Sequence, residues 1–431
     1  MSIKDLAKAA KQASIMLAAT ATEQKNKALQ TIAQELRNRK EEIIAANNLD
    51  LERSKKENLA APLLKRLKFD EEKIDGVIDG INSLIKLPDP VGETLASTEL
   101  SEGLELYKIS CPIGVIGVIF ESRPDALVQI STLCLKSGNS TLLKGGSEAL
   151  ETNRILAKII VDATAKCNIP NGWIQLLETR ADVNEMLKED QYIDLIIPRG
   201  SNDFVKYIME NSNIPVLGHA DGICHVYIDK DAVIEKAIKV ALDSKCQYVA
   251  VCNATETILV HEAIANAILP QLKWALETCG VEIYGCAQTQ SIISVLPATD
   301  ESWKTEYLDY KVSVKIVKDC VEAVDHINTY GSGHTESIQT ENKDTAVYFL
   351  NHVDSGNVFW NCSTRFSDGF RYGFGAEVGI STNKIHARGP VGLDGLLIYK
   401  YIAKGDGHTV TDFSEGKRKY SHIKLNKPLR F

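Results

Sequence analysis

The sequence predicts an α/β protein with two parallel-sheet domains and a small additional β element. Three observations carry this expectation. At 431 residues the chain is too long for one ordinary hydrophobic core. From residue 112 onward, short apolar runs alternate with amphipathic helical stretches, the pattern of βαβ units on parallel sheets. The last 34 residues leave that alternation: they are polar and basic, with short strand-like pieces that suit pairing with another subunit.

Residues 1 to about 86 read as helix. Ile3, Leu6, Ala10, Ala13 and Leu17 recur at helical spacing, and Leu29, Ile32, Leu36 and Ile43 continue the pattern. Thr20 and Glu23 have the spacing of a capping box for the second helix. Two prolines in "KLPDPVGE" (86–93) then end the helical region. Residues 97–111 suggest a hairpin turning near Gly103. Strands follow at 113–120, 141–144, 173–177, 193–197 and 224–228, each followed by a helix. After Cys252 the alternation resumes, with strands at 256–261, 313–317 and 336–339 and helices at 262–278 and 320–329.

Composition narrows the function. A content of 44% apolar and 25% charged residues is that of an ordinary globular protein, not a fibre or a disordered chain. The net charge of -8 disfavours a nucleic-acid binder, so an anionic ligand needs a local cluster of Arg, Lys or backbone N–H groups. The densest apolar stretch, Ile113–Phe120, is far shorter than the ~20 residues of a bilayer-crossing helix. No apolar leader is evident at the N-terminus, so a cytoplasmic address and no membrane partner are expected. Ten cysteines include no CxxC pair and no Cys/His spacing typical of zinc, so no metal is expected. Most sit in apolar runs and read as buried thiols.

Neither GxxxxGK[ST] nor a GxGxxG between strand and helix occurs. Lys144-Gly145-Gly146-Ser147 instead stands at the carboxyl end of a strand, where open α/β sheets bind ligands. The next helix N-terminus favours an anion there. A plain β–α turn with a solvated lysine explains the same residues. Arg199-Gly200-Ser201 is a second loop of this kind. "GSGHTESI" places His334 after a flexible loop, and "FESRPDA" places Ser122 and Arg123 at a strand end, where they also suit an N-cap before Pro124. Cys252, at the mouth of strand 256–261, could be core filling, a metal ligand or a nucleophile.

In this order, "IGVIGVIFESRPDA", "LKSGNSTLLKGGSEA", "IPRGS", "CNATETILVH", "HINTYGSGHTESI" and "FGAEVGISTNKIHARGPVGLDGL" resemble the aldehyde dehydrogenase superfamily. More closely they resemble its gamma-glutamyl phosphate reductases, also called glutamate-5-semialdehyde dehydrogenases. The resemblance covers essentially the whole chain, and Val317–Ile338 is its most specific part. A domain of this kind also occurs fused to a kinase; this chain shows no kinase portion and is expected to be the stand-alone form.

The resemblance implies an aldehyde-dehydrogenase-like α/β fold: two Rossmann-like domains plus a small β oligomerisation element. The cofactor domain is expected over 1–96 and 112–222 with a segment near 378–397. The catalytic domain is expected over 223–377, and the oligomerisation element over 97–111 and 398–431. The implied reaction is NADPH-dependent reduction of L-glutamate 5-phosphate to the semialdehyde and phosphate, the second step of proline synthesis from glutamate. Cys252 is the implied nucleophile, and Cys246 is structural.

Ser122 and Asn253 stand as oxyanion candidates, together with the backbone N–H of Cys252. Lys144, Gly145, Gly146, Ser147, Gly200, Ser201 and Glu306 stand as cofactor residues. Arg123, His219, His334 and Arg365 stand as substrate residues. In "LGHADG" (217–222), Gly218 replaces the glutamate with which hydrolytic relatives activate water. Ser147, where NAD-preferring relatives often place an acid, leaves room for a 2′-phosphate. A homo-oligomer, dimer or tetramer, is expected, with transient contact to glutamate 5-kinase because acyl phosphates are labile. The rivals are a reductase of another activated acyl donor such as an acyl-CoA, a hydrolytic aldehyde dehydrogenase and a non-catalytic relative.

Overall fold

A computed structural model describes residues 2–375 and 377–430. The chain divides into two compact units: Met1–Gly200 with Tyr207–Leu217 and Val391–Phe431, and Ser201–Lys206 with Gly218–Pro390.

The first unit opens with five helices. In Ile3–Leu17, the residues Ile3, Ala7, Ala10, Ala13 and Leu17 form the buried stripe that the spacing requires. The expected box at Thr20 does not form. Ala21 occupies the N-cap of Thr22–Asn38, and the Thr20 hydroxyl donates back to the Met16 carbonyl instead. A capping box closes around Ser2 and Asp5. The second helical run is also broken at Arg39, where Lys40–Lys56 begins.

Four parallel strands follow, in the spatial order Ile174–Leu177, Ser140–Lys144, Val115–Phe120 and Leu195–Arg199. Every residue of Val115–Phe120 and of Ser140–Lys144 is buried, as expected where helices cover both faces of a sheet. Burying each Val, Ile, Leu or Phe side chain there is worth about 1.5–3 kcal/mol. The helix Pro124–Lys136 is buried almost all round, so no clean polar face was visible in its sequence.

The predicted hairpin is Thr94–Ser101 and Leu104–Pro112, joined by a turn in which Gly103 takes φ +76°. Only glycine adopts that backbone without strain. Leu397–Lys404 and Ile423–Leu425 flank the hairpin in a four-stranded antiparallel sheet.

The second unit holds a parallel sheet of seven strands. Their order is Leu296–Pro297, Glu282–Gly285, Lys311–Val317, Thr255–His261, Cys224–Ile228, Thr335–Gln339 and Asn357–Trp360. The three strands Thr255–His261, Cys224–Ile228 and Thr335–Gln339 are buried along their whole length. Glu282–Gly285 and Asn357–Trp360 were not anticipated; each has only four residues, too few for a periodic signal. The domain expectation needs correction at 378–390, which lies in the second unit. Gly379–Ser381 pairs with Gly389–Val391 there, and Arg388 holds Asp354 at 2.9 Å. Residues 218–222 belong to that unit too.

Candidate active site

In the first unit the predicted cofactor residues gather at the carboxyl ends of the parallel strands. Lys144 ends its strand, is nearly buried, and its ammonium donates to the Gly145 carbonyl. Gly145 and Gly146 are tight positions: a Cβ on Gly145 would lie 2.1 Å from the Asn153 amide nitrogen, and one on Gly146 2.0 Å from a Glu148 carboxylate oxygen. The backbone is thus kept bare where a ligand's phosphates can approach. Residues of this kind fit a nicotinamide dinucleotide.

Two calls in this unit change. Ser122 has φ +46°, and both its backbone N–H and its hydroxyl donate to Glu148 Oε1, at 2.5 and 2.7 Å. A hydroxyl has one hydrogen, so Ser122 has none left for an oxyanion in this arrangement. Arg123 is partly exposed and paired with Asp125 at 2.9 Å, at the entrance of the helix that begins at Pro124.

In the second unit the chemistry lies at the opposite strand ends. His219, Cys252 and His334 each precede a strand, those beginning at Cys224, Thr255 and Thr335. One ligand atom from each of the three lies within 4.8 Å of the others. The His219 and His334 rings meet edge-on at 4.9 Å between centroids. His219 Nδ1 lies 2.9 Å from the Ile380 carbonyl. A carbonyl only accepts, so Nδ1 carries the hydrogen, and the lone pair of the neutral ring is on Nε2. His334 is fully buried; its Nδ1 lies 2.8 Å from the Thr335 hydroxyl and 3.6 Å from the Cys224 sulfur. The Cys224 thiol in turn donates to the Cys252 carbonyl.

Gly222 closes the loop of His219 onto Cys252. A Cβ there would meet the Cys252 carbonyl oxygen at 2.2 Å, its Cα at 2.4 Å and its Cβ at 2.5 Å. The same loop reaches Glu306. The Asn202 amide donates to Glu306 Oε2 at 2.6 Å and to Asp221 Oδ1 at 2.9 Å. Burial raises the Glu306 pKa, against the Asn202 bond and the influence of nearby His219. Glu306 is therefore not a solvated surface acid.

Arg365 arrives from the loop after Asn357–Trp360. Its Nε donates to Gln247 Oε1 at 2.9 Å. Burial first, then the Arg371 guanidinium, lowers the Arg365 pKa, while the Cys252 sulfur pulls it back up; the cation and the sulfur are in electrostatic reach. Asn253 holds this loop in place. Its Nδ2 donates to the Ser367 carbonyl at 2.8 Å, and its own carbonyl accepts from Thr364 at 2.7 Å. The buried Asn253 side chain thus braces the loop that carries Arg365. Arg371, Gln247 and Gly222 were missed: folding brings Gln247 and Arg371 to Arg365, and Gly222 to Cys252.

Residues 1–291 match the aldehyde dehydrogenase family. A gamma-glutamyl phosphate reductase of Acetivibrio thermocellus is 70% identical over 99% of this chain and 99% of its own length. One from Methanococcoides burtonii is 52% identical over 97% of this chain and 96% of its own. The crystal structure of a gamma-glutamyl phosphate reductase from Thermotoga maritima superposes with a TM-score of 0.93 at 40% identity, covering 95% of this chain and 100% of that one. With that identity spanning both units, the chain belongs to the gamma-glutamyl phosphate reductase family, within the aldehyde dehydrogenases.

Proposed function

We propose that Cys252 is the nucleophile of the family's reaction, the reduction of L-glutamate 5-phosphate to L-glutamate 5-semialdehyde and phosphate in proline biosynthesis. The observation that carries this reading is the grouping of Cys252 with two imidazoles and a guanidinium. An imidazole there can accept the thiol proton, and a guanidinium can face the sulfur during attack.

His219 Nε2 takes the proton of Cys252, and Arg365 faces the thiolate that results. The sulfur attacks the acyl carbon, the C–O bond to phosphate breaks, and a thioester remains. Arg365, with Arg371 behind it, suits the departing phosphate or the substrate's carboxylate, since guanidinium binds both bidentately. The nicotinamide cofactor, when bound, supplies the hydride that turns the thioester into a thiohemiacetal. Collapse of that adduct releases the aldehyde and returns the thiolate, with the hydroxyl proton passing to an imidazole of the site. The backbone N–H of Cys252 is the nearest candidate for the oxyanion. Gly218 provides no carboxylate to activate water, so the thioester survives until it is reduced.

NADPH is the cofactor we assign, on the neutral Ser147 beside Lys144; the neighbouring Glu148 carboxylate is engaged by Ser122. A clear preference for NADH in the same assay would refute this. Assembly through the four-stranded sheet is supported by its long edge strand Leu397–Lys404, which exposes Tyr399 and Tyr401. No helix among the described residues is long and apolar enough to cross a membrane. A cytoplasmic enzyme in transient contact with glutamate 5-kinase fits the lability of the substrate.

The test is reduction of NADP by glutamate semialdehyde, the reverse reaction, in wild type and Cys252→Ala. Activity that requires phosphate and vanishes in the variant is expected. Phosphate-independent activity would indicate a hydrolytic aldehyde dehydrogenase. Survival of activity in the variant would remove Cys252 from its role.

A further inference from the structure

We propose that His219, Cys252 and His334 also form a binding site for zinc, and that an ion held there silences the nucleophile reversibly. The three ligand atoms lie within 4.8 Å of one another. A tetrahedral zinc with Zn–S of about 2.3 Å and Zn–N of about 2.0–2.1 Å needs ligand separations of roughly 3.3–3.6 Å. Cys252 and His219 are only half-buried, and the gap to close is at most about 1.2–1.5 Å, within reach of small side-chain adjustments. Thiolate and imidazole select zinc over magnesium or calcium, which demand oxygen ligands.

The surroundings have the form of a metal site's support. A histidine that binds a metal through one nitrogen is held by a hydrogen bond at the other. Here His219 Nδ1 donates to the Ile380 carbonyl, and His334 Nδ1 meets the Thr335 hydroxyl, itself braced by the Asn357 amide at 3.3 Å. A second observation is independent of the cluster. His334 is fully buried, yet its Nε2 has no hydrogen-bond partner among the described residues. A buried polar atom left so is costly, and a cation bound to it removes that cost. Electrostatics are mixed: Arg365 opposes a dication beside Cys252, and the Glu306 carboxylate, coupled to His219, offsets it.

Binding would displace the Cys252 proton to solvent and form a Zn–S bond, with water in the fourth position. The sulfur lone pair would then be unavailable to the acyl carbon and shielded from oxidants. The site rests on ligand geometry and not on the catalytic role of Cys252, so it is tested by direct binding.

Chelator-stripped full-length protein is titrated with zinc against a chromophoric chelator, and cobalt is used as a spectroscopic substitute. One zinc per chain is expected, with a thiolate-to-cobalt charge-transfer band and slowed alkylation of Cys252, all reversed by chelator. Cys252→Ala should abolish the band and the binding. Thr335→Val, which leaves all three ligands in place, should weaken zinc about tenfold or more. His219→Asn is the companion variant if Thr335→Val does not fold. Binding of undiminished affinity in Cys252→Ala, or no binding to the wild type, would overturn the proposal. Loss of activity with zinc but unslowed alkylation of Cys252 would overturn it as well.

Discussion

Gly222→Ala tests whether the loop of His219 positions the nucleophile. The added methyl would sit 2.4 Å from the Cys252 Cα and 2.2 Å from its carbonyl oxygen, whereas ordinary contact begins at 3.4 Å. These are backbone atoms, so no side chain can swing away. One loop must retreat by about 1 Å, and displacements of that size in a reacting geometry cost on the order of 100-fold in rate. That corresponds to about 2.7 kcal/mol of lost transition-state stabilisation. The thiol itself is untouched. Phosphate-dependent reduction of NADP by glutamate semialdehyde should therefore fall about 100-fold in kcat/KM, while the circular dichroism spectrum stays that of the wild type. A Gly222→Ala enzyme within about threefold of wild type would refute the assignment, because a shift of the sulfur by about 1 Å could not then matter to the chemistry.

Three further outcomes follow from individual contacts. Arg365→Lys keeps a charge but loses the Nε bond to Gln247 and the planar fork; KM for phosphate in the reverse assay should rise roughly 10- to 100-fold, the equivalent of one charge-assisted bond. Ser122→Ala should cost less than about tenfold in kcat, since its hydroxyl is committed to Glu148; a loss of about 100- to 1000-fold would restore it as an oxyanion donor.

The third concerns Lys245 and Glu256, a fully buried pair 2.6 Å apart that anchors the backbone N–H of Leu308, two residues from Glu306. Lys245→Met should destabilise the protein by about 3–5 kcal/mol near neutral pH, and the added Glu256→Gln should recover part of that. Burial pushes Glu256 up to about 7 in the wild type, despite the lysine. A carboxyl raised in the fold favours the protonated folded state, so its stability contribution is present below the usual glutamate range and is lost as pH rises through about 7. Without Lys245 the loss should be steeper, so the melting temperature of Lys245→Met should fall more than wild type's between about pH 5 and pH 8. Equal pH dependence of the two proteins would contradict the pairing.

Much of this molecule was readable without coordinates. Parallel strands such as Val115–Phe120 announce themselves because burial on both faces demands an unbroken apolar run. The loops after them carry Lys144 and Arg199 at strand ends for the same topological reason. Family motifs then singled out Cys252, which no spacing rule could separate from nine other cysteines. What tertiary structure alone decided is who touches whom. Thr20 and Glu23 have the right spacing for a cap, but the helix begins one residue later and the hydroxyl turns back to Met16. Ser122 and Asn253 are of the right type to steady an oxyanion, yet the Ser122 hydroxyl commits its one hydrogen to Glu148, and the Asn253 amide ties down the loop at Ser367, distant in sequence. His219 and His334 reach Cys252 because three separate strands of one sheet begin side by side, and sequence distance says nothing about that adjacency. Local pattern fixes the elements because helix and strand periods are properties of neighbouring residues. A donor's single hydrogen, or a sulfur's company, depends on contacts across the fold, and those exist only once the chain has packed.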